Sequence, residues 1–154
     1  MITAHLPSGY VVGRLWAKAP LVLPAAVLGG ILPDFDMIWF YLIDDRAFHH
    51  HRYWVHIPAF WAAIAVIALP LVTVCARHYL TAACAFFAAL LTHVCLDTIA
   101  GDIMWHWPWS TKFTHLVTIP ARYESWVLNF VLHPVFVLEL LIWAAAIFLF
   151  WKRT

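Results

Sequence analysis

Three runs of this chain are too long and too poor in charge to sit inside a water-soluble fold. Ile57 to Cys75 is 19 residues with no charged side chain. Tyr79 to Leu96 is 18 residues interrupted only by His93, and Ser125 to Trp151 is 27 residues carrying His133 and Glu139. A helix needs about 20 residues, within a range of about 17–25, to cross the hydrocarbon core of a bilayer. Each run is therefore predicted to span a membrane, the last by tilting or protruding. The rest of the composition agrees. Only 11% of the 154 residues are charged and 65% are hydrophobic, with a mean hydropathy of +0.84. A soluble domain carries about 25% charged residues. An ordinary soluble domain, a disordered chain and a nucleic-acid binder with a basic face are all excluded. A net charge of +1 points to no particular partner. The length fits a single domain, residues 1–154.

Two shorter apolar pieces come first. Leu6 to Trp16 is broken by Pro7, and Pro20 to Pro33 carries Gly29-Gly30. Each makes about 20 Å of helix, too short to cross alone. They are predicted to form a helical hairpin that dips in and returns, bringing His5 level with a turn at Pro33-Asp34-Phe35-Asp36. Met37 to Ile43 should form a short helix after it. The expected fold is all-α: a membrane bundle of three long spanning helices and an N-terminal pair of short ones. The start, MITAHLPSGYVVG, lacks the charged region and cleavage site of a signal peptide, so insertion is expected rather than export. Ten Trp suit a chain that meets bilayer–water boundaries. Cys75, Cys84 and Cys95 lie in apolar runs without CxxC spacing and read as small core residues.

The polar residues gather at one end of this bundle. His93 and Asp97 are spaced i,i+4, so imidazole and carboxylate share one helix face and can converge on one ion. A plain His–Asp hydrogen bond between helices is the competing reading. Ionisable groups in a membrane are costly, which favours function. Asp34 and Asp36 offer two carboxylates of the kind divalent metals want, although either could serve as a helix N-cap. In HHHRYWVH (49–56), His56 is expected to face inward, with His50 or His51 reaching it from the preceding loop. That placing of His56 assumes a helix from Arg52 onward; Arg52 itself could hold an anionic group such as a phosphate, its alternative being a snorkelling interface residue. Asn129 and His133 form an i,i+4 pair before Pro134, which should kink the last span. Glu139 reads as a buried structural partner rather than a catalytic group. His78, His106 and His115 read as interface or loop histidines.

Taken in order, His5-Leu6-Pro7, Leu32-Pro33-Asp34-Phe35-Asp36, His51-Arg52 with His56, and His93-xxx-Asp97-Thr98 followed by Gly101 to Pro108 resemble a known family. It is that of the YdjM-like, LexA-binding inner-membrane-associated hydrolases, membrane-bound and metal-dependent. The resemblance covers roughly residues 3–110. The metal-ligand pattern is in turn distantly similar to that of zinc-dependent phospholipase C, where a His-xxx-Asp pair binds zinc. This chain carries Val55 and Ile57 where the family usually has Thr and Ser.

The resemblance and the residues together imply a metal set of His5, Asp34, Asp36, His51, His56, His93 and Asp97. Seven candidates exceed the needs of one catalytic zinc and suit two ions about 4 Å apart. The metal is expected to be zinc, with manganese as the alternative. One ion would lower the pKa of a bound water, and Arg52 would help the other stabilise a phosphoryl oxygen. A free carboxylate, Asp36 or Asp97, would act as general base. The expected activity is hydrolysis of a phosphoester in a membrane lipid or lipid-linked substrate. The alternatives are a non-enzymatic metal- or haem-binding or transport protein, and an assembly factor whose His and Asp merely bridge helices. The expected location is the bacterial inner membrane. Five basic residues (Arg14, Lys18, Arg77, Lys152, Arg153) lie on the face opposite the site and four (Arg46, Arg52, Lys112, Arg122) on the site face. By the positive-inside rule the site is expected to open to the periplasmic or outer side.

Overall fold

The structure is a computed structural model that describes residues 1–16 and 18–152. Arg153, counted above for orientation, lies outside the described residues. The chain is all-helical. Among the described residues seven α-helices run in order: α1 His5–Leu15, α2 Val22–Ile31, α3 Asp36–Leu42, α4 Pro58–Cys75, α5 Leu80–Ala100, α6 Trp126–Val131 and α7 Phe136–Trp151. An all-helical solution is what lipid demands, because each helix satisfies its own backbone.

The predicted N-terminal hairpin is present, α1 descending from His5 and α2 returning beside it. Small residues let α1, α2 and α5 approach closely, as expected where lipid supplies no hydrophobic drive between helices. Val22, Ala26, Ala82, Ala85 and Ala89 form this seam. A Cβ on Gly29 would run into the Phe86 carbonyl, and one on Gly30 would lie 2.7 Å from the His5 carbonyl. Gly29-Gly30 therefore seats α2 against both neighbours at the level of the polar cluster. Beyond it, Trp61, Leu90, Val94 and Ile103 form a second core around α4 and α5.

Two of the predicted spans stand: α4, and the helical stretch Arg77–Ala100 that contains α5. The third is placed differently. The run Ser125 to Trp151 breaks at His133-Pro134 into the six-residue α6 and the 16-residue α7. Pro134 has no N–H and its ring collides with the carbonyl four residues back. At 1.5 Å per residue, α7 is about 24 Å long, short of a full crossing. The third segment able to span is Val22–Leu42. Pro33-Asp34-Phe35-Asp36 is not a turn here. Leu32–Phe35 is a 3₁₀ helix that carries α2 straight into α3, with Pro33 in its first turn, where a missing N–H costs little. Neither Asp34 nor Asp36 caps a helix through its side chain.

The outer face of α4 exposes Val66, Ile67, Leu71 and Val74, as a lipid-facing helix should. Cys75 and Cys95 are exposed and Cys84 is half-buried, which corrects their reading as core residues. They sit in apolar runs because lipid, not protein, surrounds them. The loop after α5 is tied back by Leu116 N–H to Thr98 O (2.9 Å) and Val117 N–H to Ile99 O (2.8 Å). Two carbonyls in the last turn of α5 are thereby satisfied at the site end.

Candidate metal centre

Each polar side chain reaches the centre for a local reason. His5 opens α1. His93 and Asp97 lie one turn apart on α5. Asp34 and Asp36 come from the 3₁₀ turn and the start of α3. His50, His51 and His56 come from two short 3₁₀ turns, His50–Arg52 and Trp54–His56, which lead into α4. Successive residues of such a turn point about 120° apart, so the three adjacent histidines diverge. His49 accepts a hydrogen bond from His51 N–H, His50 faces Asp36 and His51 faces Asp97.

Asp97 is the hub. Four imidazole Nε2 atoms surround its carboxylate: His93 at 3.0 Å, His5 at 3.1 Å, His51 at 3.7 Å and His56 at 3.8 Å. Asp34 closes the ring, 3.7 Å from His93 Nε2 and 3.8 Å from His56 Nε2. The His5 and His93 rings stack with centroids 3.7 Å apart. His5, His51, His56, His93 and Asp97 are all buried. The α-amino group of Met1 lies 2.5 Å from Asp97 Oδ1, so a cation already rests on this carboxylate.

The outward nitrogens decide what the inward ones can do. His93 Nδ1 donates to the Gly30 carbonyl at 2.7 Å, and His51 Nδ1 to the Asp102 carbonyl at 3.1 Å. Each bond fixes the tautomer with a bare Nε2 lone pair toward Asp97, the outer support that metal-bound histidines have. His56 Nδ1 lies 3.0 Å from Asp36 Oδ2. Asp36 therefore stands on the outer side of His56, where it orients the ring, rather than among the converging Nε2 atoms.

Buried atoms without a hydrogen-bond partner concentrate here. They include His5 Nδ1, both nitrogens of His56, His93 Nε2, Asp97 Oδ2 and both oxygens of Asp36. Most buried polar groups are satisfied, and each orphan needs an explanation. Of these, His56 Nε2, His93 Nε2 and Asp97 Oδ2 face one another, and such a convergence fits a cation. The protonation pattern divides the histidines. Burial holds His51 well below the usual histidine range, so its ring is neutral. Burial also opposes a charge on His56, but the facing carboxylates of Asp34 and Asp36 prevail and push it up to about 9. An ion bound there would have to displace that proton.

Among the described residues, three groups of side chains have the spacing to hold an ion: His5, His93 and Asp97; Asp34, His56 and His93; and His50, His51 and His56. His93 has one free nitrogen, so the first two groups compete for it. The first and third share no residue and could be filled together. Six of the seven residues expected from the sequence thus converge, with Asp36 beside them. His50, left open between itself and His51, joins the set. Arg52 does not: it is exposed, its guanidinium 5.8 Å from the centre of the Phe113 ring. His78, His106 and His115 are exposed, as expected.

A family model described as YdjM inner membrane protein matches residues 1–153. The chain belongs to the YdjM inner membrane protein family. No curated protein and no solved structure matches it significantly. In this YdjM-family chain the sequence pattern missed the partners that lie far apart in sequence. Glu139, fully buried in α7, accepts hydrogen bonds from Ile2 N–H, from Thr3 N–H at 3.0 Å and from Thr3 Oγ1 at 2.7 Å. It fastens the strap that leads into His5. The structural role expected of Glu139 is the one observed. His133 accepts a bond from Val135 N–H, and Asn129 braces Arg122 and Tyr123. Neither reaches the centre.

Proposed function

We propose that this membrane protein is a metal-dependent hydrolase of a lipid or lipid-linked phosphoester. The observation that carries this is the buried convergence of four histidine Nε2 atoms on Asp97, with orphaned lone pairs. His5, His93 and Asp97 would hold one divalent ion, zinc or manganese, and His50, His51 and His56 a second. When bound, such an ion supplies Lewis acidity and a water acidic enough to ionise near neutral pH. With these groups engaged, Asp34 is the carboxylate left over. Its side chain is 36% exposed, against 2% for Asp97 and 3% for Asp36. Asp34 is thus best placed to take a proton from an attacking water, in preference to Asp36 or Asp97. Asp36 orients His56. Arg52, stacked at the surface, fits contact with a headgroup at the rim better than contact with the reacting phosphorus.

The transport alternative is less well supported. Transport needs polar groups along a path, and the deeper Glu139 is engaged by the strap. Purified protein in lipid nanodiscs, supplied with Zn²⁺ or Mn²⁺, should release phosphate or a headgroup from one member of a broad lipid panel. EDTA should abolish the release. No turnover across the panel by protein with full metal content would overturn the hydrolase reading.

We also propose that the site opens to the periplasmic or outer side. Arg14, Lys18, Arg77 and Lys152 among the described residues lie at the opposite end, and Arg14 donates to the Leu149 carbonyl near the end of α7. A phosphatase reporter fused after Thr154 should be inactive and a fluorescent one bright. An active phosphatase fusion would reverse the assignment.

A further inference from the structure

An apolar slot of about 460 Å³ opens between α3 and the turn leading into α4, and it reaches Asp36, the carboxylate set against His56. Its walls include Leu32, Phe35, Trp39, Trp54 and Trp61, and Asp36 lies among them. Phe35, Trp39 and Trp54 are about half exposed at the rim. Leu32, Phe35, Asp36 and Trp39 belong to the segment Val22–Leu42, and Trp61 to α4, both long and apolar enough to span. With these two segments in a bilayer, the mouth would face the lipid. Asp36 is 6% exposed, and its Oδ2 lies 3.0 Å from His56 Nδ1. A slot that served only to hold bulk lipid would have no use for a buried carboxylate set against His56.

We infer that this slot takes one acyl chain of a phospholipid, admitted sideways from the bilayer, so that its phosphate stops at Asp36, on the His56 side of the candidate centre. The inference rests on the hydrolase reading for its polar end. An anionic phosphate beside Asp36 is repelled unless divalent ions in the neighbouring centre offset that charge. It adds the direction of entry and the class of substrate, an amphiphile with a chain long enough to fill the slot. The volume falls within the roughly 300–1,000 Å³ usual for small-molecule sites. A second cavity of about 430 Å³ lies against other residues of α3, Met37, Phe40 and Tyr41. It reaches His50 and His51 beside the loop after α5, a separate way out for a released headgroup.

The test uses the whole chain in nanodiscs doped with a phosphatidylglycerol that carries a diazirine at mid-chain. After irradiation, adducts should concentrate on residues 32–39 and 53–61, several-fold above the lipid-facing stretch 66–74. Trp39→Ala and Trp54→Ala should each lower slot labelling at least threefold and leave labelling of 66–74 unchanged. Even labelling of both regions, unmoved by either variant, would overturn the inference. Slot labelling without turnover of any lipid would keep the slot and remove the hydrolase reading. Turnover of a short soluble phosphoester with even labelling would do the reverse.

Discussion

Asp97→Asn should yield an inserted bundle that has lost its metal. The substitution keeps volume and removes the charge that four imidazoles face. Removing an outer partner of a metal ligand already costs about 10–100-fold in affinity. Loss of the hub carboxylate should exceed that range, and purified protein from metal-replete cells should carry under ~0.2 ion per chain, scaled to the one or two ions a catalytic site holds. His93→Ala should behave alike, since its Nε2 is 3.0 Å from the same carboxylate. His78→Ala, exposed on the turn between α4 and α5, should retain wild-type metal. Elemental analysis with circular dichroism separates the outcomes. Full metal content in a helical Asp97→Asn variant would remove Asp97 from the site.

The residues legible in the sequence were those whose cost in a membrane advertised them. His93 and Asp97 sit in an apolar run at helical spacing, and His5, Asp34, His51 and His56 flank others. Their types and positions told most of the story. What failed was local geometry. Arg52 and His56 would share a face in an α-helix. Two 3₁₀ turns with an extended Tyr53 between them turn Arg52 outward instead. Pro33 with two carboxylates reads as a stop, yet a 3₁₀ turn accommodates the proline and the buried centre takes Asp36. The third span was misplaced for the same reason, while the other two stand. Apolar length was counted across Pro134, which breaks the helix, and stopped at Pro33, which does not. The backbone carbonyls of Gly30 and Asp102, which set the tautomers of His93 and His51, carry no side-chain signal.

Glu139→Ala should loosen the far side of the centre without touching a candidate ligand. The carboxylate accepts from two backbone amides and one hydroxyl of the strap. Thr3 Oγ1 also takes a bond from Trp143 Nε1 at 3.1 Å, so α7 grips the strap twice. Deleting the carboxylate leaves two amides without an acceptor, at on the order of 1–3 kcal/mol each. Since about 1.4 kcal/mol is tenfold in an equilibrium, local opening of residues 1–8 should rise by at least ~10-fold. His5 begins α1 two residues after Thr3, so its hold on Asp97 should weaken with the strap. Metal affinity should then fall by about tenfold, the low end of an outer-shell loss. Glu139→Gln keeps one good acceptor and should lie between. Hydrogen exchange on residues 1–8, read beside a metal titration, tests the coupling. Unchanged protection in Glu139→Ala would show that the α1–α2 packing alone holds His5. Lost protection with unchanged metal affinity would show that His5 is not needed for the ion.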